Sequence, residues 1–264
     1  MLSGVGDSVK DNYYRFRKKE FSNARYVVKD TPSTGWDLPC RYVYPMLAAP
    51  NITPFHYDTS NEFCIIPYDM DDLRHPVSEL SLLKTDGELY GYLLKHKSLI
   101  EKQSDKSKGM RLGSEFYALS KLGEYTFAPY LVAARDNTRF CATVVERTVT
   151  PWGEEKQTIC VKHNMIISQR HDKTFIGEDE AYYICGVLNS DIVVEYMHST
   201  FKKNGFSLNK AKFALPVYDA HNKLHRNIVE LSREASATDD DVRITAICSE
   251  ISELYLKMCD REII

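Results

Sequence analysis

What most restricts the folding of this chain is a change of hydrophobic period along its second half. Residues 130–134, 140–146 and 158–168 are rich in Val, Ile, Thr and aromatic side chains, the composition of pleated, half-buried strands. From Glu178 onward apolar residues recur at helical spacing instead, with Ile184, Leu188, Ile192 and Tyr196 on one face of a helix over 178–197. A last short strand is expected over 212–218. Two helices then follow over 221–235 and 239–259, the second lined by Val242, Ile247, Ile251, Leu254 and Met258. Thr238 and the three aspartates after it mark its start, because carboxylates favour the N-terminal end of a helix dipole. The expected fold class is therefore α+β: a mixed, strand-rich body followed by a C-terminal helical hairpin.

The first half fits the same plan. A polar lead-in over 1–35 precedes a proline-punctuated stretch in which Arg41-Tyr-Val-Tyr44 and Phe63-Cys-Ile-Ile66 are the expected strands. A helix is expected from Asp86, with Leu89, Leu93 and Ile100 in its apolar stripe. Ser114 is a candidate N-cap for a short helix holding Phe116, Leu119 and Leu122. Pro151-Trp-Gly153 marks a turn, and Glu154-Glu155-Lys156 reads as part of it. The expected division is 1–35 as lead-in, 36–220 as the main domain and 221–264 as the helical segment.

Charge and cysteine usage narrow the setting. A net charge of −3 does not by itself point to nucleic acid, but the charges are segregated. Residues 62–90 and 230–262 are acid-rich, while 95–121 and 202–212 are basic. A positive surface within a negative whole can still steer DNA, since phosphates respond to the local field. The seven cysteines form no C-x-x-C pair, and their odd number fits free thiols in a reducing compartment better than a disulfide framework. No apolar run approaches the ~20 residues that span a bilayer, and residues 1–10 carry no apolar signal core. A cytoplasmic chain without membrane partners is the expectation.

Motifs for chemistry are missing. There is no glycine-rich cofactor turn, no P-loop and no [DNS]-P-P-[YF] loop for a flipped adenine. His221 and His225 stand four apart but lack further ligands in a recognisable pattern, so capping or surface roles are expected and no metal site is assigned. Cys185 lies on an apolar helix face and is expected to pack. The same holds for Tyr92, Tyr117, Tyr182, Tyr183 and Tyr196, which sit at core spacing on expected helices. No catalytic residue is assigned, and no cofactor is expected in this chain.

Five local patterns occur in an order that resembles a known family. They are Arg41-Tyr-Val-Tyr-Pro-Met-Leu with Asn51-Ile-Thr-Pro-Phe55, then Phe63-Cys-Ile-Ile-Pro-Tyr68, then Leu89-Tyr-Gly-Tyr-Leu-Leu94 with Leu99-Ile-Glu101. Glu115-Phe-Tyr-Ala-Leu119 follows, continuing into Tyr125-Thr-Phe-Ala-Pro-Tyr-Leu-Val132. The last is Ala181-Tyr-Tyr-Ile-Cys-Gly-Val-Leu-Asn-Ser190, joined to Phe213-Ala-Leu-Pro-Val-Tyr218. Together they span about residues 36–235. This set resembles the C-terminal target-recognition region of TaqI/Eco57I-like adenine-N6 DNA methyltransferases from restriction-modification systems. The resemblance implies recognition of double-stranded DNA on behalf of a methyltransferase domain or subunit that binds S-adenosylmethionine elsewhere. The catalytic half of that family is absent, so its activity is not implied for this chain.

On their own terms, several clusters suit DNA. Arg, Asn and Gln read base edges, while Lys and Arg neutralise phosphates. Arg135, Asn137 and Arg139 lie between two expected strands, with Lys162, Asn164, Gln169, Arg170 and Lys173 at later strand ends; these are the base-reading candidates. Phosphate candidates are Lys106, Lys108 and Arg111 in one polar loop, and Lys202, Lys203, Lys210 and Lys212 in another. The competing reading of every such cluster is an ordinary turn or solvated linker. Three rivals to the fused-enzyme reading are a stand-alone specificity subunit of a multisubunit restriction system, an enzyme whose catalytic residues follow no recognised motif, and a protein-interaction module with no DNA role. Only one recognition module is visible, which favours the fused-enzyme reading over the subunit.

Overall fold

The structure is a computed structural model. It describes residues 3–10, 13–17, 36–59, 62–102, 113–120, 122–161, 164–201 and 205–261. The fold is α+β, and the chain forms two compact units that do not follow the linear division expected from sequence. One unit draws on 1–46, 59–127 and 147–159, the other on 47–58, 128–146 and 160–264. Among the described residues no helix is long and apolar enough to cross a membrane.

The first unit is built on a sheet in the order β12-β4-β7-β1-β2-β3. Its strands are β1 (Ser3–Lys10), β2 (Tyr13–Arg17), β3 (Trp36–Pro39), β4 (Val43–Leu47), β7 (Glu62–Ile65) and β12 (Ile159–Cys160). Neighbours β4–β7, β7–β1, β1–β2 and β2–β3 all pair antiparallel. Part of the expected polar lead-in is therefore sheet. Tyr14 and Phe16 alternate with Arg15 and Arg17, a period-two pattern that the cations disguise as a solvated leader.

Helices α1 (Glu79–Thr85), α2 (Gly87–Lys95) and α3 (Lys97–Glu101) bring Leu82, Leu89, Tyr92, Leu93 and Ile100 into a core with Leu38, Val43, Phe63 and Ile65. Ser78 caps α1 by accepting the Ser81 N–H, and Arg41 pairs with the buried Asp86 between α1 and α2. The helix expected after Ser114 does not form. Tyr117 instead donates its hydroxyl to the Val77 carbonyl at 2.5 Å, and the Leu119 N–H donates to the Tyr68 hydroxyl at 2.7 Å. Tertiary hydrogen bonds override a weak local preference here.

A hairpin of β10 (Arg147–Val149) and β11 (Glu155–Gln157) turns at Trp152-Gly153, so the expected turn at 154–156 runs into a strand. Its pleat buries Lys156, whose Nζ donates to the Cys40 carbonyl at 2.5 Å and stands 3.5 Å from Glu154 Oε2. The amine lies over the Tyr44 ring, 4.5 Å from its centroid. Burial holds the Lys156 ammonium below the ordinary lysine value of 10.5, against the opposing pull of Glu154. Its charged form is thus less favourable in the folded protein than in the unfolded chain. Stability then rises with pH as the unfolded chain's lysine approaches its own titration, and the cost is fully present below that window. Lys156→Met is expected to change unfolding free energy at neutral pH by no more than about 1 kcal/mol and to remove that alkaline rise. Urea melts at pH 7 and pH 9.5 test it; a loss of several kcal/mol at pH 7 would show that the charge is stabilising.

The second unit carries a three-stranded antiparallel sheet in the order β13-β8-β9, from β8 (Leu131–Arg135), β9 (Ala142–Val145) and β13 (Asn164–Ile167). A small hairpin of β5 (Ile52–Thr53) and β6 (His56–Tyr57) turns through Pro54-Phe55. Phe55 is buried at φ 65°, and its N–H donates to the Ala142 carbonyl at 2.9 Å. Four helices complete the unit: α4 (Glu178–Asn189), α5 (Asp191–Thr200), α6 (Lys223–Ser236) and α7 (Asp241–Arg261).

The helix expected over 178–197 is two, because the chain turns to extended backbone at Ser190, whose Oγ donates back to the Val187 carbonyl at 2.7 Å. Helix α4 packs on β8, β9, α6 and α7. It approaches α6 closely: a Cβ on Gly186 would stand 2.2 Å from Ser232 Oγ and 2.8 Å from Ile228 Cγ2. Ile228, Val229, Ile247, Ile251 and Met258 share one core with Val132, Ala142, Tyr183 and Val187, so the C-terminal hairpin belongs to this unit's interior.

The strand expected over 212–218 makes no ladder. Pro216 lacks a donor, and the segment's backbone is held by tyrosine hydroxyls. The Lys212 N–H donates to Tyr196, while Tyr255 donates to the Ala214 carbonyl and Tyr183 to the Pro216 carbonyl, at 2.7, 2.6 and 3.0 Å. Alternation survives over 212–215 of this strap, with Phe213 and Leu215 packed inward and Lys212 and Ala214 exposed. It slips at Pro216, so that Val217 faces solvent and Tyr218 packs inward.

Candidate functional site

The base-reading candidates lie in the second unit, and its sheet sorts them. Strands β8 and β9 are joined by the hairpin 136–141, closed by the Arg135 N–H on the Cys141 carbonyl at 3.0 Å. Within it the Arg139 N–H donates to the Asn137 carbonyl at 2.7 Å, and Thr138 turns the chain at φ 56°. Strand β13 places Asn164 opposite Arg135. Arg135, Asn137, Arg139 and Asn164 therefore share one end of the sheet.

Two of these four are turned inward. Arg135 donates Nη1 to the Ile52 carbonyl at 3.3 Å and Nη2 to Thr138 Oγ1 at 2.8 Å, and Asn164 donates Nδ2 to the Leu47 carbonyl at 3.0 Å. Both side chains anchor the 47–52 segment. Arg139 is exposed and Asn137 half-buried, and neither side chain makes a hydrogen bond or ion pair among the described residues. The two arginines impose a positive field on this end. Burial pushes the neighbouring Cys141 thiol up to about 11, with Arg135 and Arg139 pulling the other way.

The same end receives a third stretch of chain. Gly205 sits at φ 75°, where a Cβ would stand 2.8 Å from the Asp136 carbonyl oxygen, and the Phe206 N–H donates to that carbonyl at 2.7 Å. Only glycine combines that backbone with so close an approach. Lys210, in the turn that follows, and Lys212, at the start of the strap, are exposed. Lys202 and Lys203 lie outside the described residues, as do Lys106, Lys108, Arg111 and Lys162.

Gln169, Arg170 and Lys173 are elsewhere. Because β13 runs antiparallel to β8, its continuation emerges at the opposite end, about 13 Å away along a five-residue strand. There a bridge between Gln169 and Phe175 closes a turn with Lys173 at φ 67° and exposed. Arg170 is committed. Its guanidinium grips both carboxylate oxygens of the buried Glu180, with Nε to Oε1 at 3.1 Å, and donates to Thr174 Oγ1 and the Phe175 carbonyl. With Arg233 on Glu178 and Asp179, it neutralises the acidic first turn of α4.

His221 and His225 do not form a pair on one helix face. His221 precedes α6 and is exposed, while His225 is buried, accepts the Asp219 N–H on Nδ1 at 2.9 Å and stacks on Tyr183. Cys185 is buried, and that burial pushes its thiol far up. The tyrosines pack as expected, and three of them hold backbone as described.

Two supports of the hairpin escaped the sequence reading. Asn189 accepts the Ala142 N–H at 2.9 Å and donates to the Ala142 carbonyl at 2.8 Å, so a side-chain amide completes the edge of β9. His198 on α5 accepts the Phe140 N–H on Nε2 at 3.3 Å. Asn189 stands in the Leu-Asn-Ser motif noted above, which was a usable signal; nothing in the sequence singles out His198. No family model matches the chain, and no curated protein matches it in sequence.

Proposed function

We propose that this chain is a target-recognition domain for double-stranded DNA that directs an adenine-N6 methyltransferase, supplied as another domain or subunit with its S-adenosylmethionine, to a short duplex site. The observation that carries this reading is one sheet end at which an exposed guanidinium, Arg139, and a half-buried carboxamide, Asn137, make no side-chain hydrogen bond among the described residues and sit on a braced hairpin. The chain meets the same end at Phe206, whose N–H donates to the Asp136 carbonyl, and Lys210 and Lys212 further along it are in solvent. Guanidinium and carboxamide groups match the acceptor and donor edges of guanine and adenine in the major groove, and the lysines suit phosphates. Arg135 and Asn164 serve as the frame of this edge, and Arg170 as the frame of α4.

Selection from a randomised duplex pool, at low and near-physiological salt, tests the reading. An enriched motif is expected. Arg139→Ala is expected to lose roughly 10- to 100-fold in affinity for that motif, equivalent to ~1–3 kcal/mol for one base-edge contact, while non-specific binding changes by less than about threefold. Equal losses on both DNAs would assign Arg139 to phosphate contact. Absence of binding at either salt would remove the DNA reading.

A further inference from the structure

We infer that His198 is a positioning residue for the 136–141 hairpin, setting the direction in which Arg139 and Asn137 project; its consequence for DNA selectivity rests on the recognition reading above. Within the hairpin, beyond the Arg135–Cys141 closure, the Arg139 N–H donates to the Asn137 carbonyl and Arg135 Nη2 holds Thr138 Oγ1 at 2.8 Å. The tip is thus tied to the leading stem, and the Arg139–Phe140 side depends on an anchor supplied from outside the hairpin.

Two anchors are present, one on each stem. Phe206 holds the leading stem through the Asp136 carbonyl, and His198 holds the trailing stem through the Phe140 N–H. The anchors also touch each other. The His198 and Phe206 rings meet edge to face at 4.9 Å, and Phe206 meets Phe140 at 5.4 Å, so three rings form one cluster beneath the loop. Arg139 immediately precedes the anchored Phe140, so the bond that fixes the Phe140 amide also fixes the peptide plane following Arg139. His198 can accept there only as the neutral imidazole that carries its proton on Nδ1. It is seated on α5, a rigid element, whereas the residues it orients lie in a loop.

The test uses two substitutions in the full chain. His198→Phe keeps a ring against Phe206 and removes the acceptor, and His198→Gln keeps an acceptor that reaches the same place. Three quantities are read: hydrogen exchange at the Phe140 amide, the ratio of motif to random-duplex affinity, and the salt dependence of binding. His198→Phe is expected to speed Phe140 exchange by roughly tenfold, the scale of one lost hydrogen bond, and to lower the affinity ratio by a similar factor with the salt slope unchanged. His198→Gln is expected to restore both. Unchanged Phe140 exchange in His198→Phe overturns the inference, as does an equal fall of the ratio in both variants. Should His198→Phe fail to fold, Phe206→Leu, which removes the ring contact and keeps the hydrogen bond, is expected to leave Phe140 protected; exchange at the unfolded rate there overturns the inference. If the wild-type chain enriches no motif, the recognition reading fails alone and the exchange measurements decide the role of His198.

Discussion

Gly186→Leu is expected to abolish the cooperative unfolding of the second unit, a loss of more than about 4 kcal/mol, because α4 and α6 meet where no side chain fits. The first carbon alone would stand 2.2 Å from Ser232 Oγ, 2.8 Å from Ile228 Cγ2 and 3.4 Å from Ile251 Cδ1. The serine cannot simply yield, since its hydroxyl donates to the Ile228 carbonyl at 2.7 Å. Gly186→Ala sets two magnitudes against each other. Alanine gains about 1 kcal/mol of helix propensity over glycine, whereas overpacking costs about 1–3 kcal/mol, so a net loss is expected. Adding Ser232→Ala removes the nearest obstacle and is expected to recover part of it. Thermal melts followed by far-ultraviolet circular dichroism decide the matter. A Gly186→Leu protein melting near the wild type would mean that the helices can separate at little cost.

Asn189→Leu, which keeps the number and branching of side-chain heavy atoms, is expected to cost about 2–4 kcal/mol. The Ala142 N–H loses its acceptor in a buried setting, and an orphaned buried donor costs about 1–3 kcal/mol. The Ala142 carbonyl loses one of two donors and keeps the Phe55 N–H. Destabilisation therefore comes mainly from one orphaned group and one lost bond. The urea midpoint measures it, with an unchanged slope expected because the folded surface is the same. A shift below about 0.5 kcal/mol would show that some other group takes over the edge of β9.

Both residues lie in the Ala181–Ser190 motif that carried the family resemblance, and the structure gives its letters a physical sense. Gly186 permits a close helix crossing, Asn189 completes a strand edge and Ser190 ends the helix. The motif is thus a packing device of the second unit.

Elements were legible in the sequence where one period ran unopposed. Strands β8 and β9 are Val- and Ala-rich and buried, and α6 and α7 carry apolar stripes, so pattern alone located them, although Val242, expected in the stripe of α7, is exposed. Failures arose where a distant partner decided. The 113–120 stretch has helical letters, but Tyr68 and Val77 hold it out of a helix. The strap has strand letters, but its backbone partners are tyrosines on helices that no local window contains. In β2, alternating arginines concealed a pleat.

The candidate site was legible in residue type and not in direction. Arg135, Asn164 and Arg170 have the side chains that read bases, yet each spends its donors inside the protein. Arg139 and Asn137, from the same short stretch as Arg135, do not. Sequence gives the donors available to a loop; the carbonyls of Leu47 and Ile52 and the carboxylate of Glu180, which claim some of them, are 10 to 117 residues distant.

The interleaving of the two units governs how the chain can be made and cut. The boundary between them falls after residues 46, 58, 127, 146 and 159, so contacts within each unit join sequence-distant segments. High contact order of this kind slows folding, since loop closure must precede the contacts that compensate it. During synthesis the first unit waits for its β10–β11 hairpin, and the segment 47–58 waits for β8, β9 and the helices beyond. No single cleavage site yields either unit by itself. A version of this protein that holds one unit alone must therefore be a redesigned splice, because any truncation that keeps one unit whole also keeps stranded segments of the other.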